Sequence, residues 1–266
     1  MERRKIGAIV LAAGLSRRMG QPKMLLPWGQ TTVLGQVVSI LLAAVTDART
    51  DFEAKKRMRA THETETPARS ADSEAEKRIR ATDETEKQAQ RVYFEADKWM
   101  PITDEAKKRR NEFEVIVVTG GTRDLVEAEV ARLGAQGLPV RAIFNPAHET
   151  GEMMSSIRVG LTAIGPETEF ALIALGDQPQ LSAESARQVV TAAEQPGARL
   201  ILPSCNMRRG HPWLVRRDLW PALMVAETGR AFLQEHEAEI QYIETDETVL
   251  KDLDTPEDYQ QGLNAA

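Results

Sequence analysis

Five short apolar runs, most of them followed by residues at helical spacing, set the frame of this 266-residue chain. The first, IGAIVLAAG at 6–14, is rich in Ile and Val and reads as a strand buried in a parallel sheet. Val33, Leu34, Val37, Val38, Leu41 and Leu42 then recur on one helical face and predict a helix over 31–45. FEVIVVTGG at 113–121 is the second strand, and Asp124 stands where it would cap a helix carrying Val126, Val130 and Leu133. VRAIFN at 140–145 is the third strand, followed by a short helix over 155–164. FALIALGD at 170–177 is the fourth, followed by a helix from Ser182 to about Glu194, and RLILPSC at 199–205 is the fifth. A second lobe follows, closed by YIETD at 242–246 and the tail LKDLDTPEDYQQGL at 250–263. This alternation predicts an α/β fold, a mostly parallel twisted sheet with helices on both faces. In such folds ligands sit at the carboxyl ends of the strands.

Residues 49–113 break the pattern. Nearly half of them are charged, with the two signs almost cancelling. The segment repeats with a period of 21: EAKKRMRATHETE at 53–65, EAEKRIRATDETE at 74–86 and EADKWMPITDEAK at 95–107. Each copy centres on one apolar residue, Met58, Ile79 or Met100, too little to offset the entropy of ordering. The heptad seam of a coiled coil is not filled, and Pro67 and Pro101 interrupt the run. The expected organisation is therefore one domain from 1–48 and 114–266. It carries 49–113 as an exposed, partly helical or disordered charged repeat insertion.

Bulk chemistry narrows the classes. A net charge of −6 argues against a nucleic-acid surface built on positive charge. A single cysteine, Cys205, excludes an internal disulfide framework and fits a reducing, cytoplasmic setting. No run approaches the ~18 apolar residues of a membrane span. Glu2-Arg3-Arg4-Lys5 before the first apolar run imitates a signal peptide, but the run is short, Ile/Val-rich and leads straight into Ser16-Arg17-Arg18.

The loop leaving the first strand carries the clearest chemistry. Ala12, Ala13 and Gly14 allow backbone N–H groups to approach a ligand, and Gly20 permits a second sharp bend. Arg18 and Lys23 put two cations on the same loop, which suits a pyrophosphate or triphosphate. The loop is neither a Walker loop nor a GxGxxG fingerprint. A basic surface loop is the plainer alternative. The string LAAGLSRRMGQPK resembles the nucleotide-binding signature LAAGxSxRMGxxK, matching at Leu11, Ala12, Ala13, Gly14, Ser16, Arg18, Met19, Gly20 and Lys23. The resemblance continues in GEMMSSIRVGL (151–161), ALGDQP (174–179), RGHPWL (209–214) and DLDTPEDY (252–259). Together these look like the molybdenum cofactor cytidylyltransferases and related molybdopterin nucleotidyltransferases, over nearly all of the chain outside 49–113. The resemblance implies a Rossmann-like nucleotidyltransferase fold. It also implies a nucleotide site that includes Gly120 beside the loop residues.

Asp177 ends a buried apolar run, where a carboxylate is costly unless paired, solvated or bound to a cation. A helix cap or a turn is its plainer role. Asp252 and Asp254 lie in a second acidic motif, and Asp-Thr-Pro-Glu-Asp is also a good helix start. The resemblance implies that Asp177 and Asp254 hold a magnesium ion, with Lys23, Arg18 and Asp177 as the catalytic set. The implied reaction is attack of an acceptor phosphate on the α-phosphorus of CTP or GTP, with pyrophosphate leaving. No general base is needed, in keeping with four histidines and one cysteine that form no triad pattern. The Ala13 position favours the cytidine branch, since the guanylyl branch reads Leu-Ala-Gly-Gly.

Ser155, Ser156 and Arg158 are expected at a helix start, where N–H groups, hydroxyls and a guanidinium can hold an anion; ordinary capping is the alternative. With Asn145 and His211 they form, by resemblance, the side that receives a molybdopterin-type phosphate acceptor. Three alternatives stand beside this reading: a guanylyltransferase, a sugar-phosphate nucleotidyltransferase, and a non-catalytic cofactor carrier that docks an apo-molybdoenzyme through the charged insertion.

Overall fold

The computed structural model describes residues 4–16, 18–62 and 113–265. The chain divides into two units, Met1–Asp51 with Arg109–Ala266, and Phe52–Lys108. Within the second unit, 52–62 are helical. The second and third repeats, and the end of the first, lie outside the described residues.

The first apolar run forms β1 (Ile6–Ala12), buried along its whole length. Two short strands, β2 (Pro27–Trp28) and β3 (Thr31–Thr32), pair as a small antiparallel hairpin. Helix α1 (Val33–His62) starts two residues later than the periodicity predicts and runs past the expected change of character at 49. Its sequence through 62 holds helix formers and no proline, so nothing local stops it. Thr32 caps its start, accepting the Gly35 N–H on Oγ1 at 3.0 Å.

Strand β4 (Val115–Thr119) leads to α2 (Arg123–Ala135), whose N-cap is Thr122 rather than Asp124; Asp124 falls in the first turn. Strand β5 (Val140–Phe144) leads to α3 (Glu152–Ala163), and β6 (Phe170–Leu175) to α4 (Ala183–Thr191). Then come β7 (Leu200–Cys205), β8 (Arg208–Arg209), β9 (Trp213–Arg216), α5 (Trp220–Val225), α6 (Gly229–Glu235), β10 (Ile240–Glu244) and α7 (Pro256–Ala265).

The main sheet has the order β10-β7-β9-β6-β1-β4-β5, with β8 appended to β7. β5, β4, β1 and β6 are parallel neighbours, and β10 is parallel to β7; β9 is antiparallel to both β6 and β7. The mostly parallel α/β sheet read from the sequence is therefore the observed one, but β8 and β9, from the stretch expected as a second lobe, join this same sheet. Alternate residues of β1 feed opposite layers. Ala8 and Val10 pack with Val37 and Leu41 of α1, Val126 of α2 and Val189 of α4. Ile9 and Leu11 pack with Ile157 of α3, Leu223 of α5 and Phe232 of α6.

From β1 the chain moves to β4 and β5 on one side, then returns to place β6 on the other. That reversal opens a crevice beyond the carboxyl ends of β1 and β6. A third cluster of Met19, Leu26, Trp28, Val33 and Leu253, with Tyr259 against it, lies beside the loop leaving β1.

Candidate active site

The loop leaving β1 is pinned on both flanks. Gly176, just after β6, donates its N–H to the Leu11 carbonyl at 3.0 Å, and Gly121, just after β4, donates to the Ala13 carbonyl at 3.3 Å. A Cβ at Gly120 would stand 2.4 Å from the Ala13 oxygen and 2.8 Å from its Cα, so only glycine lets the β4 loop come this close. Ser16 has φ +48°, turning its hydroxyl to accept the Lys23 N–H at 3.2 Å. Gly20 makes the expected second bend at φ +66°. Met19 anchors the loop in the small cluster with Trp28, while Gly14 stays exposed.

That anchoring delivers Lys23 to the crevice with its side chain only 11 % exposed. Its ammonium donates to Asp177 Oδ2, to the Leu253 carbonyl at 3.1 Å and to Asp254 Oδ1 at 3.5 Å. Arg18, 77 % exposed, pairs with Asp254 Oδ2 at 3.4 Å. Residues from the first loop, from the end of β6 and from the tail thus meet at one point. Asp177 does sit in the turn after β6, but the helix caps that both acids could have supplied are filled by other residues. Ser182 caps α4, accepting the Ser185 N–H at 3.2 Å. Thr255 and Asp258 form the capping box of α7: Thr255 N donates to Asp258 Oδ2 at 2.8 Å, and Asp258 N to Thr255 Oγ1 at 3.2 Å. Asp254 is left to face Lys23 and Arg18.

Two neighbours were not singled out as site residues. Gln178 is buried behind Asp177, and its Nε2 donates to Asp252 Oδ1 at 2.6 Å and to the Val249 carbonyl at 3.3 Å. Burial, and then the charges of Asp177 and Asp254, raise the Asp252 carboxyl above its ordinary range, against the pull of the Gln178 amide and Lys23. The only local signal was position: Gln178 adjoins Asp177, and Asp252 shares the motif of Asp254. Leu253 donates its N–H to the Asp177 carbonyl at 3.0 Å, which zips the tail onto the β6 loop.

His211 adjoins this cluster. Its N–H donates to the Val249 carbonyl at 3.1 Å, and its ring stacks on Trp213 with centroids 4.9 Å apart and planes 11° apart. Its Nε2 is shut off from solvent and has no hydrogen-bond partner among the described residues. Burial lowers its pKa to about 4, so the ring is neutral at pH 7.

The other acceptor-side residues are placed differently from expectation. α3 begins at Glu152 with Gly151 at the N-cap, so Ser155 and Ser156 lie in its interior, both buried. Ser155 N donates to the Gly151 carbonyl at 3.0 Å, as an interior helical amide does. Asn145, fully buried, donates through Nδ2 to Ser155 Oγ at 2.8 Å and to Ser156 Oγ at 3.0 Å, and its Oδ1 accepts the Ala147 N–H at 2.9 Å. These three residues come together as a clamp between β5 and α3. Arg158 points elsewhere: Nε donates to the Met224 carbonyl at 2.8 Å and a terminal nitrogen to the Ala226 carbonyl at 2.7 Å, where α5 leaves carbonyls unpaired. Trp213 connects the two regions, since its ring edge and Met153 of α3 both crowd Gly229.

A hard divalent cation fits this donor set. Two carboxylates and a backbone carbonyl already surround one positive point, the Lys23 ammonium, and magnesium is held by one or two carboxylates completed by phosphate oxygens. Among the described residues no group of three or more His, Cys, Asp or Glu stands ready to hold a metal alone. No helix among them is long and apolar enough to cross a membrane.

A family model described as "MobA-like NTP transferase domain" matches residues 8–63 and 100–240. No curated protein matches the chain. Among solved structures, the Rv0371c protein of Mycobacterium tuberculosis H37Rv superposes with a TM-score of 0.58 at 22 % identity, over 99 % of this chain and 100 % of that one. A nucleotidyl transferase from Methanothermobacter thermautotroptrophicus gives 0.61 at 19 %, over 98 % and 97 %. The 4-diphosphocytidyl-2C-methyl-D-erythritol synthase of Anaerococcus prevotii DSM 20548 gives 0.57 at 12 %, over 98 % of each chain. At these identities the likeness is one of fold.

Proposed function

We propose, for a chain that belongs to the MobA-like NTP transferase family, that it moves a CMP group from CTP to the terminal phosphate of a molybdopterin-type acceptor. One observation carries the reading: Lys23, Asp177 and Asp254, from three distant segments, meet at the crevice where the strand order reverses. An acceptor phosphate oxygen attacks the α-phosphorus, the α–β bridging bond breaks, and the electron pair leaves on pyrophosphate. The nucleophile is already an anion, so the protein moves no proton. Lys23 and Arg18 neutralise charge on the triphosphate, while the amides of Ala13 and Gly14, just past the end of β1, would be offered to its oxygens. Asp177 and Asp254 would hold a magnesium-type cation, which supplies further charge neutralisation when bound.

The preference for cytosine rests on Ala13. Its methyl lies against Gly120, 2.8 Å from where a Cβ would stand there, so the residue at this position is set beside the β4 loop. The acceptor side would lie between Trp213, His211 and the start of α3. In this arrangement Asn145, Ser155 and Ser156 set the position of α3, and Arg158 ties that helix to α5.

Pyrophosphate release across CTP, GTP, ATP and UTP, with and without acceptor, tests the reading in magnesium and in chelator. CTP with a molybdopterin acceptor is expected to exceed every other pair, and chelator to stop release. Lys23→Ala is expected to lower the rate on the order of 10²-fold or more. A rate with GTP equal to that with CTP overturns the base assignment, and no release with any triphosphate overturns the transferase.

A further inference from the structure

The Lys23 ammonium has three N–H donors, and all three are engaged by Asp177 Oδ2, the Leu253 carbonyl and Asp254 Oδ1. In this state it has no donor left for a phosphate, and one oxygen of each carboxylate is held by the lysine. Losing the ammonium would leave Asp177 and Asp254 without the cation they share, which favours another cation in its place.

We propose that Lys23 is the site's own counter-cation in the nucleotide-free protein. It competes with a divalent metal for Asp177 and Asp254, and releases them when a polyphosphate draws its ammonium away. The inference rests on the reading of this crevice as a metal and polyphosphate centre, and adds its control. Metal and nucleotide then bind with positive coupling. Either alone must break the lysine's contacts, whereas together the phosphates take the lysine and the metal takes the acids. Arg18 is no substitute: it is exposed and, among the described residues, pairs with Asp254 and not Asp177.

Manganese(II) titrated into the full chain without nucleotide, with the free ion read by its EPR signal, tests the competition. When the metal-accepting state is a small fraction of the population, the apparent affinity is weakened by that fraction. Lys23→Met is therefore expected to bind manganese on the order of tenfold tighter than the wild type. The gain should vanish in Lys23→Met/Asp177→Asn. A folded Lys23→Met that binds no tighter overturns the proposal. If that variant does not fold, the wild type decides: manganese should accelerate acetylation of the Lys23 amine, read by mass spectrometry against the exposed lysines. An unchanged or slower rate overturns the proposal. Neither measurement involves turnover. A chain that shows the exchange but releases no pyrophosphate keeps the lysine's role and loses the transferase reading. A chain that turns over without the exchange does the reverse.

Discussion

Asp254 and Asp177 share one lysine but differ in what they do for the fold. The Asp254 side chain is 53 % exposed and Asp177 only 16 %. Exposed ion pairs contribute about 0–1 kcal/mol. Asp254→Asn is therefore expected to leave the melting temperature within a few degrees of wild type, while pyrophosphate release falls on the order of 10²-fold. Calorimetry beside the rate assay separates the two effects. His211 supplies a pH test. Its folded pKa is depressed to about 4 from 6.5, so below about pH 6.5 the unfolded chain binds a proton that the folded chain refuses. Stability is lost as pH falls through the window from 6.5 to 4, by on the order of 3 kcal/mol. Urea midpoints of wild type and His211→Gln should diverge across that window, and parallel curves would remove His211 as the cause. At this scale the sequence exposes residues whose chemistry is written locally. Lys23 follows a small-residue turn, and Asp177 ends an apolar run. Gln178 and Asp252 stay hidden because their meaning is a contact across 74 positions.

Among the elements, α7 has the most direct hold on the site, because the turn that starts it presents Leu253 and Asp254 to Lys23. The helix is seated by Tyr259, whose hydroxyl donates to the Pro27 carbonyl at 2.6 Å, and by Gly262. A Cβ at Gly262 would stand 2.3 Å from Gln180 Nε2 and 2.6 Å from the Trp28 ring. Gly262→Val is therefore expected to cost about 1–3 kcal/mol by overpacking and to lower transfer through loss of Asp254. The exposed control Leu263→Ser should change neither. The apolar runs made β1, β4, β5, β6 and β7 legible, because each is long and bounded by turn residues. β9 was not legible: its four residues, Trp213–Arg216, lie between β6 and β7 and show no polar alternation. The start of α3 was misread because Gly151, with no side chain to offer, takes the N-cap that Ser155 seemed made for. Ser155 and Ser156 therefore lie inside the helix and Arg158 bonds the end of α5, instead of standing together at a helix start.

For the molecule as a whole, the family match passes over 64–99, between its two matched stretches. We propose that this stretch and its flanks, 49–113 as read from the repeats, are an insertion that the transfer chemistry does not need. Replacing 64–99 with a short Gly/Ser linker should retain pyrophosphate release and shorten the connection from β1 to β4. Loop closure grows only as the logarithm of length, so the change is worth well under about 1 kcal/mol. A collapse of activity in folded, soluble protein would place those residues in the chemistry. β1 lies between β4 and β6, whose residues begin at 115 and 170. On the ribosome, at roughly 5–20 residues per second, the earliest ribbon of the core therefore waits several seconds for either flank. Throughout that delay a nascent chain carries seven consecutive core residues whose sheet partners on both edges have yet to be made.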